Sequence, residues 1–199
     1  DSKNIKLSNM TGGTIAMASV ETLNIESTNA ANTIGTLTAT AATSINVSGD
    51  TALTLPTNSV ATSIVSTGSG ALTVTSSTTG AVTLTGGSGN DAITRSGAGA
   101  DTVSLGAGDD TLTYSANLGT TDTINGGDGT DTLSTTATLA EGIDGTTPTT
   151  YAVTNVETLT LTSSTGGTAL NPLNISTAIN RVNLAPTSNN AITASATPI

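Results

Sequence analysis

The chain has no cysteine, histidine, phenylalanine or tryptophan, and two tyrosines are its only aromatic residues. Without cysteine there are no disulfides and no thiolate chemistry. The missing histidine rules out a Ser-His-Asp triad, an H-E-x-x-H zinc site and imidazole acid-base catalysis within this stretch, so no enzymatic role is expected. With hydrophobic residues at 35 % and almost no rings, a broad globular core is unlike this composition. Basic residues are equally scarce: Lys3, Lys6, Arg95 and Arg181 stand against 14 acids, for a formal charge of -10. Nucleic acid is a poor partner for such a surface. No apolar run of membrane-spanning length and no basic-plus-apolar leader occurs, so no membrane insertion is expected. The start at Asp1 reads as a segment of a longer protein.

What the chain does have is threonine, about a quarter of its residues, with β-branching that favours pleated strands. Apolar residues alternate with Thr, Ser or Asn at Leu23/Ile25, Ile45/Val47, Leu53/Leu55, Leu72/Val74, Val82/Leu84, Leu159/Leu161 and Val182/Leu184. Turn formers such as Ser48-Gly49-Asp50, Gly68-Ser69-Gly70 and Thr165-Gly166-Gly167 separate the pieces. This pattern predicts many short strands and almost no helix. A longer recurrence joins Val20-Glu21-Thr22-Leu23 to Val156-Glu157-Thr158-Leu159, an offset of about 136 residues that suggests tandem units. Glu21 and Glu157 in these motifs read either as calcium ligands at a strand edge or as solvated or turn-bonding carboxylates. Residues 135–150 lack alternation and read as a loop or junction, and residues 187–199 are similarly weak.

The strongest signal lies between Gly86 and Ser134, where a glycine-rich nonapeptide recurs as GGSGNDAIT, SGAGADTVS, LGAGDDTLT and GGDGTDTLS. Each unit couples a six-residue turn, rich in glycine and closed by Asp, to a three-residue strand whose central apolar side chain points inward. Stacked turns of this kind offer backbone carbonyls and carboxylates, the hard oxygens that calcium takes six to eight at a time. The candidate ligands are the side chains of Asp91, Asp101, Asp110, Asp122 and Asp131, with turn positions Gly86, Ser88, Gly89, Gly99, Gly106, Gly108, Gly127 and Gly129. Seven acids fall in this block with Arg95 as its only base, a cluster that repels itself unless a cation is bound. Asp109 and Asp128 are extras, Asp109 read as solvated and Asp128 at a position that gives its carbonyl.

Two units make one coil, so turns stack with the next-but-one unit, Asp91 on Asp110, Asp110 on Asp131 and Asp101 on Asp122. The Asp residues advance by ten, nine, twelve and nine positions, so the repeat is imperfect. Arg95 reads as an inserted residue and Tyr114-Ser115-Ala116 as an inserted bulge or loop. The unit around Asp122 lacks three of its glycines, which makes the Asp101 to Asp122 pairing the weakest. The upstream units Gly68–Ser76 and Ser77–Thr85 keep the strand rhythm without Asp. The expected architecture is all-β, a right-handed parallel β-solenoid or β-roll. Its parts are a Thr/Ala-rich solenoid at 1–85, a calcium-binding β-roll at 86–134, a junction at 135–150 and the start of a second solenoid unit at 151–199.

These nonapeptides resemble the RTX repeats of proteins exported by Gram-negative type I secretion. With the Thr/Ala/Ser/Gly-rich flanks and the V-E-T-L segments, the chain resembles Caulobacter-type surface-layer proteins. The resemblance implies a calcium-dependent coat on the bacterial cell surface, in which other copies of the same protein are the partners in a lattice or filament. Export and attachment to outer-membrane lipopolysaccharide would run through parts outside this stretch. A repeat stalk of an RTX adhesin is the alternative. Ice binding by Thr-x-Thr steps such as Thr83/Thr85 and Thr111/Thr113 is a third reading, which ordinary β-propensity explains more simply.

Overall fold

In a computed structural model, which describes residues 1–144, 153–164, 169–184 and 191–192, the alternating segments are short parallel strands wound into a β-solenoid of about 8 turns. Successive coils feed two parallel sheets of eight strands each. One sheet stacks Ser2–Ser8, Thr22–Thr28, Ser44–Gly49, Ser63–Ser66, Thr83–Gly87, Thr102–Ala107, Thr123–Asp128 and Val153–Thr154. The other stacks Asn32–Thr33, Leu53–Thr54, Leu72–Ser76, Ala92–Arg95, Thr111–Tyr114, Thr132–Thr135, Thr158–Leu161 and Arg181–Asn183. Two small sheets, Thr14–Ala16 with Thr36–Thr38 and Ala169–Leu170 with Ala191–Ile192, add a third side near the ends.

The interior follows from the period of two. Along Thr22–Thr28 buried and half-buried residues alternate, which turns Leu23, Ile25 and Ser27 inward. Parallel register then sets like on like. Leu23, Ile45, Ile64, Leu84, Val103, Ile124 and Val153 form one column, each at most 1 % exposed. Val74, Ile93, Leu112, Leu133 and Leu159 form the facing column. Aliphatic ladders fill so narrow a core without large rings, which explains how the composition supports a fold. The outward positions carry Thr83, Thr102 and Thr123 as an exposed row. An amide ladder runs from Asn46 to Asn24 to Asn4 at 2.8 and 2.7 Å.

Strand pairing is continuous through residue 85, because Thr83–Gly87 pairs with both Ser63–Ser66 and Thr102–Ala107. The Asp-free upstream units are therefore coils of the same stack. Past the repeat block, Thr158–Leu161 pairs with Thr132–Thr135, so the stack continues there too. Of the expected junction at 135–150, only residues to Asp144 lie among those described, and they are not a loop. Ala137–Ile143 is an α-helix, capped by Thr136, whose hydroxyl accepts from the Leu139 amide, with Ala137, Ala140 and Ile143 on its buried face. Three apolar residues at i, i+3 and i+6 are a helical signal too short to stand out in so Thr-rich a chain. Thr165-Gly166-Gly167 and most of residues 187–199 lie outside the described residues.

The longer recurrence takes an unexpected phase. Leu23 lies in the first sheet and Leu159 in the second, as do Ile45 and Val182. The two V-E-T-L motifs are thus half a coil out of step, and they share a local strand-entry geometry rather than a place in equivalent coils.

Candidate metal centre

The residues that lead into the strands of the second sheet fall in a single column on one edge of the solenoid. Downward from the top it reads Asn32, Leu53, Leu72, Asp91, Asp110, Asp131 and Glu157. Where the position is acidic, the carboxylate reaches back one coil and accepts the backbone N–H of the residue above. Asp91 Oδ1 takes the Leu72 amide at 2.5 Å, Asp110 Oδ1 the Asp91 amide at 2.7 Å and Asp131 Oδ1 the Asp110 amide at 2.9 Å. Glu157 Oε2 ends the run on the Asp131 amide at 2.8 Å. Glu157 thus makes the turn bond expected of it. Asn32 makes the neutral version of the same bond, accepting the Met10 amide at 2.7 Å.

The second oxygens of this column have no such use. Asp91 Oδ2, Asp110 Oδ2 and Asp131 Oδ2 are buried and find no hydrogen-bond donor among the described residues. Each such oxygen is costly to desolvate unless a cation meets it. Backbone oxygens gather beside them. A side chain on Gly86 would collide with Asp91 Oδ2 and the Leu105 carbonyl, and one on Gly126 with Asp131 Oδ2 and the Asn155 carbonyl. Among the described residues no three acidic side chains converge, so the oxygen set is carbonyl-rich, with carboxylates added singly. Burial pushes Asp91 up to about 7, with the charge of Asp110 adding to the rise and the Leu72 amide opposing it. Asp131 is pushed up to about 6 and Asp110 upward, again chiefly by burial. These carboxyls are ionised at neutral pH only at a cost that a bound cation would remove. Hard, buried, donorless oxygens fit calcium, which would supply the counter-charge and tie adjacent coils together.

The glycines of the turns form columns of their own: Gly87, Gly106 and Gly127 pair in register. Gly127 shows why, with φ of 108° and no room for a Cβ against the Gly106 carbonyl. Gly108 and Gly129 also have positive φ, and Gly129 stacks on Gly108. Gly86, Ser88 and Gly89 line the turn that Asp91 closes. The extra acids sit outside, exposed: Asp109 Oδ1 accepts the Thr130 amide at 2.9 Å, and Asp128 gives its carbonyl to the Gly108 amide at 2.9 Å.

The opposite edge, with Gly99, Asp101 and Asp122, is built differently. Asp101 Oδ1 accepts the Val82 amide at 3.0 Å and Asp122 Oδ1 the Asp101 amide at 2.8 Å, the same backward reach as on the first edge. Here the remaining oxygens are also satisfied. Asp122 Oδ2 takes the Gly119 amide at 2.8 Å. Asp101 Oδ2 takes Arg95 Nε at 2.7 Å and the Tyr114 hydroxyl at 2.9 Å. Arg95 and Tyr114, expected as an insertion and part of a bulge, are instead the last residues of Ala92–Arg95 and Thr111–Tyr114, stacked on each other and both fully buried. Alternation explains the inward turn, since Arg95 follows Ile93 by two positions and Tyr114 follows Leu112 by two. That spacing was the signal available in the sequence. Burial and the nearby carboxylates push the Tyr114 phenol up, so it remains a donor.

With this geometry in view, the likeness to known repeats becomes specific. The model of the RTX calcium-binding nonapeptide repeat matches residues 76–94, 95–116 and 119–137, taking in both an Asp-free upstream unit and the degenerate unit around Asp122. The chain therefore carries RTX repeats in a β-solenoid, and calcium is the ion that this repeat family binds. No curated protein and no solved structure matches the chain.

Proposed function

We propose that this chain is a structural, calcium-stapled segment of a secreted bacterial surface-layer protein, folding and assembling with copies of itself when calcium binds. The observation that carries the calcium part is the row of three buried, donorless carboxylate oxygens on Asp91, Asp110 and Asp131. RTX repeat proteins are typically secreted, which suits a fold that is completed only at extracellular calcium levels. With a dissociation constant of about 0.1 mM and about 1 mM free calcium, each site adds roughly 1.4 kcal/mol by mass action. Three coupled sites decide folding in a chain whose core is only a thin aliphatic ladder. The role is non-enzymatic, in keeping with a sequence without histidine or cysteine.

The lattice reading is supported by the flanks, where Thr- and Asn-faced coils extend the stack beyond the metal block. Continuous stacking also suits the stalk of an adhesin, the second reading. A calcium titration followed by circular dichroism tests the first step: strand signal should appear with calcium and collapse with chelator, and a fold indifferent to chelator overturns it. Electron microscopy of the parent protein in calcium separates the two readings, since a two-dimensional lattice supports the surface layer and rods that never tile support the stalk.

A further inference from the structure

The structure assigns Arg95 the place of a metal ion on the Asp101 edge: its guanidinium fills the gap between two stacked turns, so that this gap takes no calcium. The inference rests on the calcium reading of the repeat block and restricts it to the Asp91, Asp110 and Asp131 edge.

The partners of the guanidinium are the argument. Arg95 and Asp101 are at most 1 % exposed at their side chains and meet through Nε and Oδ2 at 2.7 Å. Nη2 donates to Asp101 Oδ1 at 3.1 Å, making the pair bidentate. The other donors reach carbonyls of two successive turns. Nη1 meets Thr78 O at 2.7 Å and Ser76 O at 3.5 Å, while Nη2 meets Gly80 O at 2.9 Å and Ala98 O at 3.2 Å. Carbonyls from stacked turns plus one carboxylate closing the lower turn are the oxygen set that calcium requires between coils. Here one side chain claims all of it. Gly97 packs directly on this group, since a Cβ there would strike both Arg95 Nη1 and the Thr78 carbonyl.

A third coil solves the same problem with a neutral group. Asn32 Nδ2 donates to Thr28 O at 3.3 Å, Ala30 O at 2.8 Å and Ser27 Oγ at 2.9 Å, while its Oδ1 caps the coil above. Turn carbonyls that face a coil gap need a donor or a cation. The solenoid supplies an amide at Asn32 and a guanidinium at Arg95. For Asp91, Asp110 and Asp131 it supplies neither, and among the described residues these are the aspartates with a buried, donorless oxygen.

Counting calcium ions per chain at saturation, by equilibrium dialysis against radioactive calcium, tests this assignment. On the whole chain, Asp101→Asn should leave the count unchanged and Asp110→Asn should lower it by at least one. Arg95→Ala should raise the count by one, as the freed oxygens become a calcium site. Asp101→Asn losing one ion, or a folded Arg95→Ala with an unchanged count, overturns the assignment. Should Arg95→Ala fail to fold, the Asp101→Asn and Asp110→Asn pair decides alone. A wild-type chain that binds no calcium would defeat the calcium reading itself, a different outcome from any of these.

Discussion

At the scale of single residues, this solenoid runs on carboxylates buried for the sake of a partner. Asp91 and Asp131 have folded-state pKa values of about 7 and about 6, against about 3.9 for an Asp in an unfolded chain. Between those limits the calcium-free folded form holds more protons than the unfolded one, so its stability falls as pH rises. The contribution is fully present below about pH 4 and is lost as pH climbs through the folded values. Calcium acts in the opposite sense, because it binds the ionised form. In chelator, the melting temperature should therefore be higher near pH 4.5 than near pH 7.5, and the gap between calcium and chelator melting curves should widen over that range. Differential scanning calorimetry checks both, and a chelated form that gains stability with rising pH would show these carboxylates to be paired by something other than calcium.

The strand-turn element is where the two edges part company. Asp110 and Asp122 occupy equivalent places, each capping the amide of an Asp one coil above, at 2.7 and 2.8 Å. They differ in the other oxygen, donorless on Asp110 and held by the Gly119 amide on Asp122. Replacing Asp110 by Ala should cost more in calcium than in chelator, shrinking the calcium-induced rise in stability by about 1.4 kcal/mol for each site it serves. Asp122→Ala should lower both melting curves alike, by the roughly 1.5–3 kcal/mol of a hydrogen bond to a charged group. Equal calcium dependence in the two variants would contradict the division between edges. The glycine and Asp spacing made the turns, the strands and the stacking of Asp91, Asp110 and Asp131 legible in the sequence. It did not reveal which edge leaves its second carboxylate oxygens donorless, because that depends on where Arg95 and Tyr114 point. Reading residues as insertions broke the alternation that puts both inside. The helix at Ala137–Ile143 was obscured for a related reason, since its buried face is two alanines and one isoleucine.

For the whole molecule, stability is a chain of nearest-neighbour terms, each coil resting on the next. The coils differ in what holds them. From Leu23 to Ile64 the buried polar residues are Ser27, Asn32 and Asn58, all neutral, and the Asn24 and Asn46 amides ladder along the outside. From Asp91 to Asp131 five carboxylates are buried, and one of them has an arginine. Removing calcium should therefore loosen the stack from its middle, while the upper coils keep their apolar and amide contacts. Native-state hydrogen exchange resolves the two regions, because local opening is reported amide by amide. In chelator, the amides of Ile93, Leu112 and Leu133 should lose protection by 100-fold or more, as expected from roughly 3–4 kcal/mol of lost site energy. The amides of Leu23, Ile45 and Ile64 should change by less than about 10-fold. Uniform loss along the whole column would mean that one cooperative unit spans the solenoid, with the calcium edge as its keystone. Graded loss confined to the repeats would make the upper coils a self-supporting platform, on which calcium switches only the lower half.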